Sequence, residues 1–504
     1  MLYTERFFYV KQNRGDGTLG QYELCDGMLK IVFVQKDVFA KPGIMALSAS
    51  VKRAGHVCLL VVADLEKQPV QAILDHKPDV IAFSITTGEY PFMEKIGRCI
   101  RQRFNGRIIC GGPHPTFYPE VLKDDYLDAI CRGEGDDALP EYLNALERNQ
   151  GWDKIQNMHV KQNGQIRENP LRPLISDLDS LPFYDRNLYT AYLLYRKKGH
   201  EILYHQVVMT GRGCPQSCSF CFNACYNALY QGKGPVLRRR SVEHIIRELR
   251  QLSSTSGPRF ITFDDDSFTL APQSWLDDFC ETYAREIAIP FKINSTAGVL
   301  TESRVKALKK AGCHAVKIGL ESGNEDLRNR ILNKKVKNKT LEDAAIQLHK
   351  NGIRLQTFNM VGLPGETLDL ALETYALNQK IKPDFAWCSL LNPYPGTAIH
   401  LQCERKGLLK TPNRYSGAGY SYFTQSPMAI PEPLIRLQKL MYVAVILRLS
   451  PKLVRRLVSL PLTRQYQFLF GIGMFWGLTR INKHSLINTL TLSLRYFSKY
   501  NHEH

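Results

Sequence analysis

Short apolar runs alternate with amphipathic helical patterns in the first third of the chain. Four runs of six to eight residues, rich in Val, Ile and Leu, predict buried strands at 29–34, 56–62, 79–86 and 107–112. Between them, hydrophobic positions recur every three or four residues, as on one face of a helix. Strands that alternate with helices favour parallel pairing, so this part predicts a doubly wound, flavodoxin-like (Rossmann-type) α/β sheet.

The same rhythm returns after a polar stretch. Residues 151–200 contain Pro170, Pro173 and Pro182 and predict a linker. Six strand–helix units of parallel character follow and predict a partial TIM-type (β/α)6 barrel, with ligands bound at the carboxyl ends of its strands. The chain is therefore predicted to divide into an extension (1–28), a Rossmann-like domain (29–150), a linker (151–200), a barrel (201–400) and a mainly helical carboxy-terminal region (401–504).

The composition is that of a folded protein rather than a disordered one. Of the 504 residues, 44% are hydrophobic and 23% are charged, which is enough apolar material for several cores. The opening residues carry charge throughout and lack an apolar core, so no signal peptide is expected. No run of about 18 uncharged apolar residues predicts a transmembrane helix. We therefore expect a cytoplasmic protein.

The positive charge of the chain is concentrated at its carboxy-terminal end. The formal net charge is +18, and residues 431–504 hold eleven Lys and Arg residues against two acidic residues, a net of +9. Apolar residues are interleaved with these cations. Such a region packs as an ordinary helical domain, contacts the inner face of a membrane or, least favoured here, binds nucleic acid.

Three cysteines follow the first predicted barrel strand at the spacing of metal ligands. Of thirteen cysteines in the chain, four fall within residues 214–225. Cys214, Cys218 and Cys221 are spaced four and three residues apart, so their thiolates can hold one face of an iron–sulfur cubane and leave one iron open. Structural zinc, the alternative, prefers four closed ligands. The fourth cysteine, Cys225, is interpreted as a bystander.

The segment from Gly211 to Cys221 resembles the cluster loop of the radical S-adenosylmethionine (SAM) superfamily, whose pattern is Cys-x-x-x-Cys-x-x-Cys. The resemblance implies a [4Fe-4S] cluster at the three cysteines, SAM on the open iron and an external electron donor of the flavodoxin or ferredoxin type. It also implies cleavage of SAM to a 5′-deoxyadenosyl radical, with SAM contacts at the ends of the barrel strands. The expected SAM-binding residues are Phe220, Asp264, Asp265, Asn294, Glu321, Ser322, Gly362 and Gly365.

The glycine-rich strand ends of the first domain resemble the cobalamin-binding domain of cobalamin-dependent members of that superfamily. The similarity lies in residues 111–116, in residues 131–136 and in Pro42-Gly43, and it implies cobalamin as a second cofactor. The chain has no Asp-x-His-x-x-Gly motif, so no histidine is expected to bind cobalt from below. The expected cobalamin-binding residues are Pro42, Gly43, Thr86, Thr87, Gly111, Gly112, His114 and Glu134.

Together the two resemblances imply an enzyme that uses both cofactors. The expected reaction is methyl transfer to an unactivated carbon of a small-molecule or lipid-like substrate, whose identity the sequence does not give. No catalytic residue beyond the cluster ligands is assigned. Two alternatives stay open: a radical cyclase or oxidoreductase similar to the anaerobic magnesium-porphyrin cyclases, and a non-enzymatic iron–sulfur sensor that acts through its basic region.

Overall fold

The computed structural model describes residues 28–196, 204–410, 423 and 425–483. The predicted extension, except for its last residue, therefore lies outside the described residues, together with parts of the predicted linker and carboxy-terminal region. Within the described residues the chain forms two α/β units followed by three helices.

The first unit is a seven-stranded sheet flanked by helices. The strand order is β2-β1-β3-β4-β5-β6-β7, and the pairs up to β5 are parallel. Helices cover both faces of the parallel part, which explains why the predicted strands read as continuous apolar runs. The strands are β1 (Lys30–Gln35), β2 (Val57–Val62), β3 (Val80–Ser84), β4 (Arg107–Gly111), β5 (Ala129–Cys131), β6 (Met158–Gln162) and β7 (Gln165–Glu168). The helices are α1 (Pro42–Arg53), α2 (Pro69–Asp75), α3 (Tyr90–Arg101), α4 (Pro113–Phe117), α5 (Ala138–Glu147) and α6 (Asn187–Arg196).

The first sheet continues into the segment whose composition predicts a linker. β6 and β7 form an antiparallel hairpin that extends the sheet beyond β5. Helix α6 packs on the first unit, with Leu188 and Tyr189 buried in its core. The hydrophobic pattern does not predict the hairpin, because β7 is exposed at all four positions and so lacks the alternation of a half-buried strand.

The second unit is a six-stranded parallel sheet with the order β8-β11-β12-β13-β14-β15. Its edge strands, β8 and β15, do not pair with each other within the described residues, so the barrel stays open and the predicted partial (β/α)6 architecture is confirmed. The strands are β8 (His205–Val208), β9 (Gly211–Arg212), β10 (Arg238–Arg239), β11 (Phe260–Phe263), β12 (Phe291–Ser295), β13 (Cys313–Glu321), β14 (Arg354–Val361) and β15 (Phe385–Leu390). The helices are α7 (Phe222–Leu229), α8 (Val242–Ser256), α9 (Gln273–Glu286), α10 (Glu302–Lys310), α11 (Glu325–Arg330), α12 (Asn338–Lys350), α13 (Leu368–Ile381) and α14 (Ala398–Arg405).

Three carboxy-terminal helices pack against the β15 side of the barrel: α15 (Glu432–Ile446), α16 (Pro451–Ser459) and α17 (Thr463–Asn482). α15 shares one apolar core with β15. α17 lies so close to β15 that a Cβ atom on Gly477 would meet the ring of Phe385 at 2.3 Å. The carbonyl of Arg480 accepts hydrogen bonds from His314 and Arg354, at the amino-terminal ends of β13 and β14. The inner faces of these helices are therefore integral to the barrel. In the described part of the chain, no helix combines the length and apolarity needed to span a bilayer.

Candidate functional site

A cavity of about 520 Å³ lies between the two units, beside the cysteine loop. Its volume is within the range of small-molecule sites, about 300–1,000 Å³. Five of the twelve lining residues are aromatic, so the cavity favours an apolar or flat occupant. The first unit contributes Gly112, Pro113, Thr116, Phe117 and Gly133; the barrel contributes Phe220, Cys221, Phe222, Asn223, Tyr226, Asp266 and Tyr394.

The cysteine loop connects β9 to α7 and is held from behind by the segment that follows α11. The backbone N–H of Ser219 donates to the carbonyl of Leu332 at 2.9 Å, and its hydroxyl donates to the carbonyl of Ile331 at 2.6 Å. The amide of Asn333 donates to the carbonyl of Ser217 at 2.8 Å. These bonds fix the backbone on both sides of Cys218.

The three thiols of the loop lie near enough to influence one another. Burial raises the pKa of Cys218 to about 11, and the negative charges of Cys221 and Cys214 add to that effect. Thiolates crowded in this way need a cationic partner, which iron supplies. Among the described residues, no group of three or more His, Cys, Asp or Glu side chains is arranged to hold a metal ion. Three thiols on one loop are the kind of donor set that binds an iron–sulfur cluster.

The acidic triad after β11 points in three directions. Asp265 is buried, and its carboxylate accepts hydrogen bonds from the backbone N–H groups of Thr210 and Gly211, both at 2.7 Å. Burial raises its pKa to about 6. Asp264 pairs with Lys317 at 3.5 Å, and Asp266 lines the cavity, where it accepts a hydrogen bond from Asn223 at 2.7 Å. Asp264 and Asp265 were both predicted to bind SAM. In the structure, the hydrogen bonds of Asp265 connect the end of β11 to the start of the cysteine loop.

Two further predicted residues lie at strand ends but are engaged within the protein. The amide of Asn294 donates to the carboxylate of Asp264 at 3.3 Å and to the carbonyl of Asp265 at 2.8 Å. Glu321 is buried and pairs with Lys334 at 2.9 Å. Its backbone has a φ of +66°, a conformation that strains a residue with a side chain. Such strained residues occur preferentially at functional sites.

Three buried polar groups that follow β13, β14 and β15 have no hydrogen-bond partner within the described residues. They are the hydroxyl of Ser322, the Oε1 atom of Glu366 and the amide of Asn392. Buried polar groups are nearly always paired, so unpaired ones point to a bound ligand or water. The strand ends of a barrel are also where its ligands bind. This end of the barrel therefore fits a polar cofactor such as SAM.

The predicted glycines after β14 form a tight turn around Glu366. Gly362 has a φ of +84° and Gly365 a φ of +81°, both in the left-handed region that favours glycine. The Oε2 atom of Glu366 accepts hydrogen bonds from the N–H groups of Gly362 at 2.6 Å and Leu363 at 3.1 Å. The glutamate closes the turn, while its other oxygen stays without a partner among the described residues.

Replacing Glu366 with glutamine is expected to remove a pH dependence of stability. Burial raises the pKa of Glu366 to about 7, against the two N–H groups, which lower it. A raised carboxyl pKa contributes stability that is fully present below the unfolded pKa of about 4.5 and is lost as pH rises through 7. Glutamine keeps a carbonyl for both N–H groups and carries no charge. Urea unfolding at about pH 5 and pH 8.5 should show the wild type losing roughly 1–3 kcal/mol relative to Glu366→Gln. The control, Glu243→Gln at a side chain that is 84% exposed, should leave the wild-type dependence intact; a parallel response of wild type and Glu366→Gln contradicts the assignment.

Several predicted cobalamin residues meet at the carboxyl ends of β3 and β4. Thr86 and Glu89 form a capping box, and the Thr87 hydroxyl contacts His114 Nδ1 at 3.2 Å. Burial lowers the pKa of His114 to about 4, so its ring is neutral at physiological pH. Gly112 has a φ of +96°, and a Cβ atom there would lie 2.7 Å from the carbonyl oxygen of Ile85. Only glycine permits this close turn beside the cavity.

The remaining predicted cobalamin residues are more scattered. Pro42 and Gly43 begin α1, the helix that follows β1, so they lie at the same edge of the sheet. Gly111 ends β4 and pairs with Ser84 in β3. This edge offers glycines and small polar groups to a ligand, which fits a large cofactor that approaches the backbone closely.

Glu134 belongs to an ion-pair network that joins the two units. Its carboxylate oxygens accept hydrogen bonds from Arg238 at 2.8 and 2.9 Å and from Arg212 at 3.0 Å. Arg212 also binds Asp136 through two hydrogen bonds, at 2.8 and 2.9 Å. Burial opposes the charge on Asp136, but Arg212 more than offsets it and lowers the pKa of that carboxyl. The structure thus gives Glu134 two arginine partners, and one of them, Arg212, lies two residues before the first cysteine of the loop.

The sequence did not indicate four residues of the cavity wall, which are Phe117, Phe222, Asn223 and Tyr226. Phe117 and Phe222 stack across the two units with ring centroids 4.8 Å apart, and Tyr394 contacts Phe222 at 5.3 Å. Asn223 and Tyr226 line the cavity from the first turns of α7. The available signal was their position on a helix that begins directly after Cys221, because residues that follow a metal-binding loop share its surroundings.

Two family profiles match the chain. The profile of the Radical SAM superfamily matches residues 208–377, and that of the B12 binding domain matches residues 30–143. The chain is 31% identical over 341 residues to an uncharacterized methyltransferase of Pyrococcus horikoshii. The match covers 67% of this chain and 72% of that protein. It is 27% identical over 347 residues to the anaerobic magnesium-protoporphyrin IX monomethyl ester cyclase of Rubrivivax gelatinosus, covering 66% of this chain and 59% of that protein.

A solved structure shares the arrangement of both units. It is the radical S-adenosylmethionine methyltransferase TsrM from Kitasatospora setae with cobalamin and a [4Fe-4S] cluster bound; the TM-score is 0.62 at 15% identity, covering 76% of each chain. At this identity the likeness concerns the fold. The matched profiles, the relative in P. horikoshii and the cysteine loop after β9 all indicate the same family. This chain belongs to the radical SAM enzymes that carry an amino-terminal B12-binding domain.

Proposed function

We propose that this chain is a cobalamin-dependent methyltransferase that adds a methyl group to an unactivated carbon of a small-molecule or lipid-like substrate. The observation that carries the proposal is the cavity shared by the two units. Cys221 and Phe220 line it from the cysteine loop, and Gly112 and Thr116 line it from the predicted cobalamin edge. A cluster and SAM held at the cysteine loop, and cobalamin held at the opposite edge, would therefore face the same substrate cavity.

The residues of the site divide by the group that each would hold. Cys214, Cys218 and Cys221 would hold the [4Fe-4S] cluster, and the polar strand ends near Ser322 and Glu366 would hold SAM. When bound, the cluster and SAM supply a 5′-deoxyadenosyl radical that abstracts hydrogen, and cobalamin supplies the methyl group. An external electron donor of the flavodoxin or ferredoxin type completes the proposal.

The protein itself would position the substrate and exclude water. The aromatic side chains Phe117, Phe222 and Tyr394 form a continuous wall from the first unit to the barrel. Such a wall orients an apolar substrate and keeps solvent from a reactive radical. The reaction needs no strong acid or base, which agrees with a cavity that contains one carboxylate, Asp266, already bonded to Asn223.

The test is anaerobic turnover with SAM that carries a deuterated methyl group. The full chain, reconstituted with iron, sulfide and hydroxocobalamin, is reduced and supplied with polar and lipid extracts of cells. Formation of 5′-deoxyadenosine and S-adenosylhomocysteine together, with label in a new product, supports the proposal. An absence of both products with every extract contradicts it.

A second candidate is radical cyclisation or oxidation without methyl transfer. It is favoured by the similarity to the R. gelatinosus cyclase, which extends over both units of this chain. The same assay separates the two functions. Cyclisation gives 5′-deoxyadenosine with an unlabelled product and no matching S-adenosylhomocysteine.

A further inference from the structure

The carboxy-terminal helices leave an unusual number of large apolar side chains exposed. Among the described residues, thirteen large hydrophobic side chains are exposed, and eight of them lie between residues 446 and 476. Single exposed hydrophobics are normal, but a concentration of them marks an interaction surface. Five of the eight are at or near α16: Ile446, Leu447, Leu453, Leu460 and Leu462.

The other three form a stripe along α17. Phe468, Ile472 and Trp476 are spaced four residues apart, so they lie on one face of the helix, and they are 70%, 38% and 52% exposed. Arg464, one turn before the stripe, is also exposed. The opposite side of the helix, with Gly473 and Gly477, is buried against α15 and β15. The packing of the other side of α17 therefore keeps Phe468, Ile472 and Trp476 facing away from the barrel.

The segment that carries these apolar side chains has only positive charges. Residues 433–483 contain no Asp or Glu. Arg448, Lys452, Arg456 and Arg464 are exposed, and none of them has an ion pair within the described part of the chain. Arg455, by contrast, pairs with Asp369 of α13. We name the exposed apolar residues of 446–476, together with these four cations, the basic apolar face.

We infer that the basic apolar face docks on the surface of an anionic lipid bilayer. Cations at the headgroups with aliphatic and aromatic side chains below them are the composition of a helix that lies in a membrane interface. Trp476 and Phe468 suit the interfacial zone, where aromatic side chains are enriched. We expect peripheral contact with the bilayer surface; in the described part of the chain, no helix is long and apolar enough to cross it.

The charge of the face argues against the other occupants. A second copy of the chain would bring like charges together, which is unfavourable. Nucleic-acid interfaces are polar and positively charged, and they leave little use for six exposed aliphatic side chains. An anionic bilayer satisfies both the charge and the apolar area. This inference stands apart from the proposed methyl transfer and does not depend on it.

Vesicle flotation of the full-length holoenzyme tests the inference. The protein is mixed with vesicles of phosphatidylcholine, with or without phosphatidylglycerol, at low and high salt. The wild type should float with the anionic vesicles only, and high salt should release it. Lys452→Gln, Arg456→Gln and Arg464→Gln combined should weaken binding roughly 100-fold, at about fivefold per cation. Phe468→Ser with Trp476→Ser should also abolish flotation.

Matched variants on other faces serve as controls. Arg247→Gln, Lys306→Gln and Arg330→Gln remove three cations whose side chains are 54%, 61% and 68% exposed. Leu194→Ser with Ile346→Ser removes two apolar side chains that are 57% and 56% exposed. Both controls should float as the wild type does. Wild type that stays unbound overturns the inference. So do binding that is indifferent to the lipid charge and a dimer that depends on Phe468 and Trp476. Formation of 5′-deoxyadenosine in the absence of vesicles should be unchanged in all variants, which separates this result from the proposed reaction.

Discussion

Replacement of Cys218 with alanine is expected to lower both the iron content and the yield of 5′-deoxyadenosine to background. Cys218 is the most buried of the three loop cysteines. Its position is fixed because the backbone N–H of Ser219 donates to the carbonyl of Leu332 and the side-chain amide of Asn333 donates to the carbonyl of Ser217. Loss of a residue that merely orients a metal ligand costs about 10–100-fold, so loss of a ligand should exceed about 100-fold. Iron and sulfide analysis of anaerobically reconstituted protein, followed by a SAM cleavage assay, measures both effects.

Cys225→Ala is the matched control for this prediction. Cys225 lies in the same segment, but its thiol is hydrogen-bonded to the carbonyl of Gly396 at 3.1 Å. We expect Cys225→Ala to retain iron and SAM cleavage. Equal loss of iron from both variants would indicate a site closed by four thiolates, as in structural zinc centres, and would exclude an open iron.

The fold was largely predictable because burial on both faces leaves a strong local signal. The strands β1, β3 and β4 are covered on both sides, so a run of three to five consecutive buried residues reveals each of them. The exposed strand β7 carries no such signal. The contribution of α17 to the barrel was also hidden, because its contact with Phe385 depends on a glycine, Gly477, and not on a hydrophobic stripe.

The candidate site was predictable where sequence spacing determines chemistry. The spacing of Cys214, Cys218 and Cys221 names its ligand class without a structure. The role of the three aspartates could not be predicted in this way. Successive side chains point in different directions, and the sequence does not say which of them enters the cavity. The structure directs Asp266 there and gives Asp265 to backbone N–H groups.

Glu134 shows the limit of local patterns. Its position in a glycine-rich turn after β5 suggests a cofactor contact, yet its partners lie 78 and 104 residues away along the chain. Such contacts depend on how two units meet, which no periodicity records. The arginines involved, Arg212 and Arg238, sit in the short strands β9 and β10, which pair with each other.

Replacement of Arg212 with methionine is expected to destabilise the protein by about 3–5 kcal/mol at neutral pH. Arg212 binds both Asp136 and Glu134, whose side chains are 7% and 8% exposed. Removing one partner of a buried pair leaves the other as an uncompensated charge. The midpoint of urea unfolding, measured on the wild type and the variant, gives the difference in the free energy of unfolding. Arg330→Met, which breaks a pair whose side chains are 68% and 75% exposed, should cost at most about 1 kcal/mol.

The pH dependence of that loss of stability tests whether it comes from the Asp136 carboxylate, which Arg212→Met leaves buried without its main cationic partner. In the wild type the pKa of Asp136 is lowered, so its contribution to stability is present above the unfolded pKa and is lost as pH falls through the folded pKa. In Arg212→Met, burial acts without the main opposing cation, and the pKa of Asp136 should rise above its unfolded value. The variant then gains stability as pH falls from neutral towards about 4, and its deficit relative to the wild type narrows. Adding Asp136→Asn to Arg212→Met should recover part of the lost stability at neutral pH, because the amide carries no charge to desolvate. A deficit that stays constant with pH and a double variant no more stable than Arg212→Met would show that packing, rather than the buried charge, joins the two units at this point.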